Sequence, residues 1–285
     1  MITKLTTTAL VAMGTALFAG YTAQAAVDFQ DSLDYASGTK LEDASADWSF
    51  AGNNGLKSNG SGVGNAVWYG NSVYTAAPTA GLVDGTISTT FTMSNIENDG
   101  HISVFARQQA SGEAVVGRVR FEPNADPFYT GSDTTGYQIS LDFSYSNATY
   151  GNSLNNAKFW VDYFPNANAN YTNTEIEFEL ILELSGADAT LTLNNPKSHD
   201  YGATWTTASH SITTTIDNAN LLSGGTAGLA FAQKHDPYAG INDGADTLAY
   251  LTPNFTNFSA VETVPEPASF ALLGLGGLAL LRRRK

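Results

Sequence analysis

Three carboxylates stand on alternate positions in Glu175-Ile176-Glu177-Phe178-Glu179. In an extended strand successive side chains point to opposite faces, so all three project from one side, spaced about 6.8 Å per two residues before twist. Hydrolysis of a glycosidic bond with retention uses two carboxyl groups roughly 5–5.5 Å apart, one as nucleophile and one as acid/base. Glu175 and Glu179 would take those roles, with Glu177 between them. Amphipathic strands also carry alternating charge on a solvated face. No tryptophan lies in or beside the segment and a short turn follows it, so a solvated face is the expectation and catalysis the alternative.

Flat rings with a polar handle can stack on sugar rings, which brings Trp68, Tyr69, Trp160, Tyr163, Trp205 and Tyr238 into view. Most large aromatics fill cores. Trp160 carries the most specific hint, because alternation over Lys158–Phe164 puts it with Lys158 and Asp162, opposite Phe159, Val161 and Tyr163. Trp160, Trp205 and Tyr238 are the candidate ligand contacts. Asn242-Asp243-Gly244-Ala245-Asp246 is rich in oxygen, and hard cations take several oxygens at about 2.3–2.6 Å. The same residues make turns without any metal, and a turn is the expectation. The four histidines, His101, His199, His210 and His235, lack metal-ligand spacing and are expected on the surface or in loops. There is no Gly-x-Ser-x-Gly elbow, phosphate loop or cysteine, so hydrolase triads, nucleotide binding and thiol chemistry have no support.

Strands must position these groups. Gly136–Ser144 alternates strictly, with Tyr137, Ile139, Leu141 and Phe143 on one face and Gln138, Ser140, Asp142 and Ser144 on the other, as a half-buried strand requires. Glu175–Leu184 does the same, with Ile176, Phe178, Leu180, Leu182 and Leu184 inward. Ser185-Gly186-Ala187-Asp188 reads as a turn, and Ala189, Leu191 and Leu193 then complete a hairpin. Further strands are expected at Asp47–Phe50, Val67–Tyr69, Gly85–Ser94, His101–Gln108, Val115–Phe121, Lys158–Phe164, Ser209–Ile216, Thr226–Gln233 and Phe255–Val261. Loops rich in Gly, Asn, Ser and Asp separate them at Asn53–Asn65, Asn124–Thr135, Asn166–Asn173 and His235–Asp246; long loops in a compact β domain often carry binding. No repeat period is evident. The fold class is all-β.

Between Val27 and Val264, eight Lys and Arg face 26 Asp and Glu, a formal charge of −18. Nucleic acid is therefore not an expected partner. Such acidity keeps a protein soluble and dispersed, and carboxylate clusters could also hold Ca²⁺.

Both ends read as targeting segments. Lys4, an apolar stretch from Ala9 to Ala19 and the small-residue site Ala23-Gln24-Ala25 follow the order of a secretory signal peptide, with cleavage expected before Ala26. At the other end Pro265-Glu266-Pro267 precedes an apolar run from Phe270 to Leu281 and then Arg282-Arg283-Arg284-Lys285. The prolines hold an extended segment that a protease can grip. As a helix, Ala268–Leu281 would be only about 21 Å long against a bilayer core of roughly 30 Å, which suits transient membrane insertion better than a permanent anchor. The basic cluster stays cytoplasmic by the positive-inside rule.

This tail resembles the PEP-CTERM sorting signal, which implies handling by an exosortase-type membrane peptidase and delivery to the cell surface or extracellular matrix. In the middle of the chain the order of segments resembles the concanavalin A-like, laminin-G-type jelly roll, an antiparallel β-sandwich. The segments are Val27-Asp28-Phe29, Thr86–Phe91, Ile102–Arg107, Gly136–Leu141, the hairpin, Trp205-Thr206-Thr207, Gly225–Phe231 and Asn254–Ser259. Jelly rolls of this class often hold one structural Ca²⁺ between chain ends and loops, which would make Asp28 and Asp243 its candidate ligands; no other cofactor is expected. Glu175–Glu179 resembles the catalytic strand of laminarinase-type glycoside hydrolases of the same fold, with Glu177 where that family has Asp. The expected organisation is a signal peptide helix over residues 1–25, one sandwich over 26–263 and a sorting segment with a short hydrophobic helix over 264–285. The expected function is non-catalytic binding of exopolysaccharide or another glycan, with glycoside hydrolysis and a structural matrix role without a ligand as the alternatives.

Overall fold

The computed structural model describes residues 26–52, 55–64, 70–93, 100–123, 135–146, 156–164, 176–197, 209–233 and 253–263. The expected signal and tail helices lie outside them, and among the described residues no helix is long and apolar enough to cross a membrane. Strands dominate: β1 (Asp28–Asp31), β2 (Trp48–Gly52), β3 (Lys57–Ser58), β4 (Val63–Gly64), β5 (Gly70–Ala76), β6 (Gly85–Met93), β7 (Gly100–Gln108) and β8 (Glu113–Pro123). There follow β9 (Thr135–Ser146), β10 (Asn156–Phe164), β11 (Ile176–Ser185), β12 (Asp188–Lys197), β13 (Ser209–Thr215), β14 (Thr226–Gln233) and β15 (Pro253–Glu262). One helical turn, α1 (Leu41–Ala44), and two short 3₁₀ turns complete the described chain.

Two antiparallel sheets face each other. Sheet A runs β13-β12-β11-β6-β15-β4-β3, with β1 also on β15; sheet B runs β10-β9-β8-β7-β14-β5-β2. The β11–β12 hairpin closes as expected, through a turn with Gly186 at φ 57°, a left-handed conformation that a side chain would disfavour. The first and last strands meet in sheet A, where Asp28 pairs with Val261 and Asp31 with Phe258.

Alternation fills the space between the sheets. From sheet A, Ile87, Phe91, Phe178, Leu180, Leu182, Leu191 and Phe255 point inward; from sheet B, Tyr74, Ile102, Val104, Val119, Leu141, Phe143, Leu229 and Phe231 meet them. Full burial of each such side chain is worth roughly 1.5–3 kcal/mol, and without cysteine this core is the main source of stability. Trp48 anchors an aromatic group, edge-on to Phe29, Tyr74 and Phe258 at 5.0–6.4 Å.

The two ends of the sandwich differ. At the hairpin end Arg107, fully buried, donates from Nε to the Val83 carbonyl at 2.6 Å and from Nη1 to that of Leu221 at 3.1 Å. Its Nη2 donates to Asp84 Oδ1 at 2.9 Å and to the Gly186 carbonyl at 2.8 Å. One guanidinium thereby ties sheet B to the sheet-A hairpin. At the opposite end lie Gly100, Phe121, Thr135, Phe164 and Gln233, linked by register across sheet B. The strand ends flanking 65–69, 94–99, 124–134, 165–175 and 234–252 are all at this loop end.

Three expectations need correction. The Asn53–Asn65 loop contains β3 and β4, which pair with each other and seat β4 on β15. Strand β5 begins at Gly70, after the expected Val67–Tyr69, which lies outside the described residues. Its sequence Gly-Asn-Ser-Val-Tyr-Thr-Ala opens with poor strand formers before Val73, Tyr74 and Thr75, and pairing with β14 and β2 on both edges holds the whole segment extended. Finally, the polar face of β9 is not solvated: Ser140, Asp142 and Ser144 are buried.

Candidate functional site

That buried polar face leads to the most unusual part of the molecule. Residues directly opposite in an antiparallel pair share a sheet face, so register alone assembles rows across the outer face of sheet B. One row joins Ser103 of β7, Arg118 of β8, Asp142 of β9 and position 156 of β10. The next, nearer the loop end, joins His101, Arg120, Ser140 and position 158. Trp160 follows, opposite Gln138.

Arg118 Nε donates to Asp142 Oδ1 in a very short ion pair, and both residues are 1% exposed. Arg120 Nη1 approaches Asp142 Oδ2 at 3.9 Å, and its side chain keeps 23% of its surface in solvent. His101 is 1% exposed, which corrects the expected surface or loop role for this residue. Burial, and after it the positive charges of Arg118 and Arg120, push its pKa down to about 3, so the ring is neutral at neutral pH. Ser103 Oγ is buried with no hydrogen-bond partner. Toward the hairpin end the same outer face turns apolar, where Phe105, Ala114, Val116 and Ala230 cluster against Val73.

Burying an ion pair withdraws several kcal/mol of solvation per ion, and apolar residues of similar volume commonly serve stability as well or better. The neighbouring apolar patch shows that this sheet face can be covered that way. A charged cluster beside it is therefore a functional candidate. It gathers guanidinium donors, a carboxylate acceptor, a neutral imidazole and hydroxyls near the loop end; His101, Ser103, Arg118, Ser140 and Asp142 are buried, and the Arg120 side chain keeps 23% of its surface in solvent.

Of the residues singled out from sequence, Trp160 lies on β10 in this register. Trp205, Tyr238, Asp243 and Glu175 lie outside the described residues, as do Ala23, Ala25, Pro265, Glu266 and Pro267. Connectivity relates several of them: Tyr238 and Asp243 fall between Gln233 and Pro253, and Trp205 between Lys197 and Ser209. Gln233 pairs with Gly100, Pro253 with Met93, and Lys197 with Glu177 one position from Ile176, so these connections start or finish at the loop end.

Glu177 and Glu179 lie on the outer face of sheet A, away from this cluster. Glu179 Oε2 accepts a hydrogen bond from Asn194 Nδ2 at 3.0 Å and is flanked in register by Thr90 and Asn194. Thr86, Ser88, Thr190 and Thr192 occupy the neighbouring outward positions, so no aromatic wall borders the two carboxylates among these described neighbours.

Of the two calcium candidates, Asp28 lies among the described residues and Asp243 outside them. Asp28 is exposed on β1, beside Val261 near the hairpin end of β15, and its Oδ1 accepts from Gln30 Nε2 at 3.1 Å. The connection containing Asp243 is anchored at the other end of that strand. Among the described residues no group of three or more His, Cys, Asp or Glu is arranged to hold a metal ion.

Sequence reasoning did not single out Ser103, Arg118 and Arg120, and it placed His101 on the surface or in a loop. The available signal was their recurrence at every second position of consecutive strands, in step with Ser140, Asp142 and Lys158.

Comparison with known proteins gives three results. Residues 263–285 match the PEP-CTERM protein-sorting motif. No curated protein matches the chain. Among solved structures the chain is similar to lectin II from Ulex europaeus, at 11% identity over 83% of this chain and 98% of that one with a TM-score of 0.46. It is also similar to arcelin-5, a lectin-like defense protein from Phaseolus vulgaris, at 10% identity over 84% and 100% with a TM-score of 0.43. The exoplasmic/lumenal domain of VIP36 in its Ca²⁺/Man3GlcNAc-bound form is similar at 11% identity over 78% and 89%, with a TM-score of 0.43. The chain is thus an antiparallel sandwich ending in a PEP-CTERM motif, and that motif marks it as an exported protein, anchored at the cell envelope or released from it.

Proposed function

We propose that residues 26–263 form one non-catalytic domain that binds polysaccharide outside the cell, through the loop end of the outer face of sheet B. The observation that carries this reading is the charged pair of rows around Arg118, Arg120 and Asp142, close to the sheet-B strand ends at Gly100 and Phe121, with the Arg120 side chain partly in solvent. Sugars are recognised by planar donors and acceptors beside a ring for stacking, and the register of Trp160 beside Gln138 supports such a platform. An exosortase-type peptidase would process the tail after brief insertion of the short apolar segment, leaving the sandwich outside.

The test is co-sedimentation of the secreted protein with the host's own purified exopolysaccharide. The reading expects saturable retention in the pellet, competed by excess soluble polysaccharide. Recovery entirely in the supernatant at all polysaccharide concentrations would count against binding and in favour of a matrix role without a ligand.

A further inference from the structure

We infer that, while the tail is inserted, the sandwich stands with its hairpin end toward the membrane and its loop end toward the surrounding polymer, so that the sorting peptidase meets the hairpin end; this rests on the tail insertion proposed above. The case begins where the fold stops. Strand β15 runs from the loop end, where Pro253 pairs with Met93, to the hairpin end, where Glu262 pairs with Gly85. Its last residue is fixed from both sides of the backbone: the Glu262 N–H donates to the Val27 carbonyl at 2.7 Å, and Glu262 Oε2 accepts from the Val27 N–H at 3.1 Å. The Thr263 N–H donates to the Asp84 carbonyl at 3.0 Å, and the Asp84 side chain is held in turn by Arg107 and by the Gly186 N–H. Thr263 is the first residue of the sorting motif. The tail is therefore rooted in the clamp that ties the two sheets together, with Val264 as the single residue before Pro265. Because β1 starts against the end of β15, the chain enters the sandwich at this same end.

Reach decides the orientation. Seven residue steps separate Thr263 from Phe270, where the apolar run begins, and they span at most about 25 Å in any conformation. The ten residues of β15 alone set the two ends of the sandwich about 30 Å apart. Turning the loop end to the bilayer would require the tether to run back along the body, farther than it extends. Adhesion does not hold the domain down, since Asp28, Asp188 and Glu262 stand at the hairpin end and carboxylates are not attracted to anionic headgroups. The tether alone sets the direction, and cutting it frees the sandwich. Until then the end nearest the proposed binding rows faces outward.

The chain has no cysteine, so one introduced thiol labels it at one place. The protein, with its tail uncut, is inserted into vesicles of phosphatidylcholine and phosphatidylglycerol carrying a headgroup-bound acceptor dye in the outer leaflet. Energy transfer is then measured from Ser185→Cys and Ser111→Cys at the hairpin end, and from Lys57→Cys and Ser209→Cys toward the loop end, all at exposed positions. The inference expects the hairpin-end labels to lie about 20 Å nearer the dye than the loop-end labels. It also expects that difference to collapse when about twenty Gly and Ser residues, inserted between Thr263 and Val264, carry the reach of the tether past the length of the body. Equal transfer from the two ends without the insertion, or stronger transfer from positions 57 and 209, overturns the orientation and leaves tail insertion standing. A full difference that survives the insertion overturns the tether as its cause. A chain that does not float with the vesicles overturns insertion and orientation together. Each end carries two labels, so a variant that melts below the parent protein is replaced by the other.

Discussion

Replacing Arg107 with Met removes four donated hydrogen bonds from the hairpin end while keeping most of the aliphatic stem. The carbonyls of Val83, Leu221 and Gly186 lose a partner, and Asp84 loses its cation but retains the bond from the Gly186 N–H at 2.8 Å. A buried polar group left without a partner costs about 1–3 kcal/mol, so the three carbonyls together stand to lose about 3–9 kcal/mol. The Asp84 side chain is 34% exposed and rehydrates, so the ion pair adds little, and partial rehydration of the carbonyls places the total at the lower end of that range, roughly 3–5 kcal/mol. In a domain of this size each kcal/mol lowers the melting temperature by about 2–4 °C, so Arg107→Met should melt about 10 °C below the parent protein. Circular dichroism melts and urea titrations read this directly, and Arg107→Lys should recover only part of the loss, since an ammonium cannot reach four acceptors in a fan. A melting temperature for Arg107→Met within about 2 °C of the parent protein would refute the clamp.

Other expectations follow from the same contacts. His101 is held neutral with a pKa of about 3, below its unfolded value near 6.5; the unfolded chain therefore binds the proton more readily, and stability falls as pH drops from about 6.5 toward 3, by roughly 4–5 kcal/mol at the limit. Urea titrations at several pH values should show this slope, and His101→Gln should flatten it relative to the parent protein, whose carboxylates contribute equally in both. At Gly228 an added Cβ would meet the Tyr74 carbonyl oxygen and the Phe105 ring, so Gly228→Ala should lose at least about 2 kcal/mol or fail to accumulate. Glu179→Gln keeps a hydrogen-bonding group beside Asn194 and should leave the melting temperature within about 2 °C and polysaccharide retention unchanged; altered retention would move the binding face to sheet A.

Alternation made much of this fold readable. The hairpin of β11 and β12 stood out because Ile176, Phe178, Leu180, Leu182 and Leu184, then Ala189, Leu191 and Leu193, recur at every second residue, most of them against Glu and Thr. Strand β5 did not, because Gly70, Asn71 and Ser72 open it with poor strand formers, and pairing on both edges holds it extended. The site was obscured by the same rule that revealed the strands. A polar face on a strand is normally wet, so Ser140 and Asp142 read as solvent-facing and His101 as a surface or loop residue, whereas all three, with Arg118, are buried on the outer face of sheet B. Only register, which fixes Arg118 beside Asp142 and Arg120 beside Ser140, turns separate alternating strands into a charged cluster.

Hydrogen–deuterium exchange of the secreted protein, with and without saturating exopolysaccharide, locates the binding face most directly. Slowed exchange should concentrate in 100–123, 135–146 and 156–164, with 176–197 and 209–215 unchanged. Protection confined to the latter two segments, on the Thr- and Glu-bearing face of sheet A, would contradict the assignment of the site to sheet B.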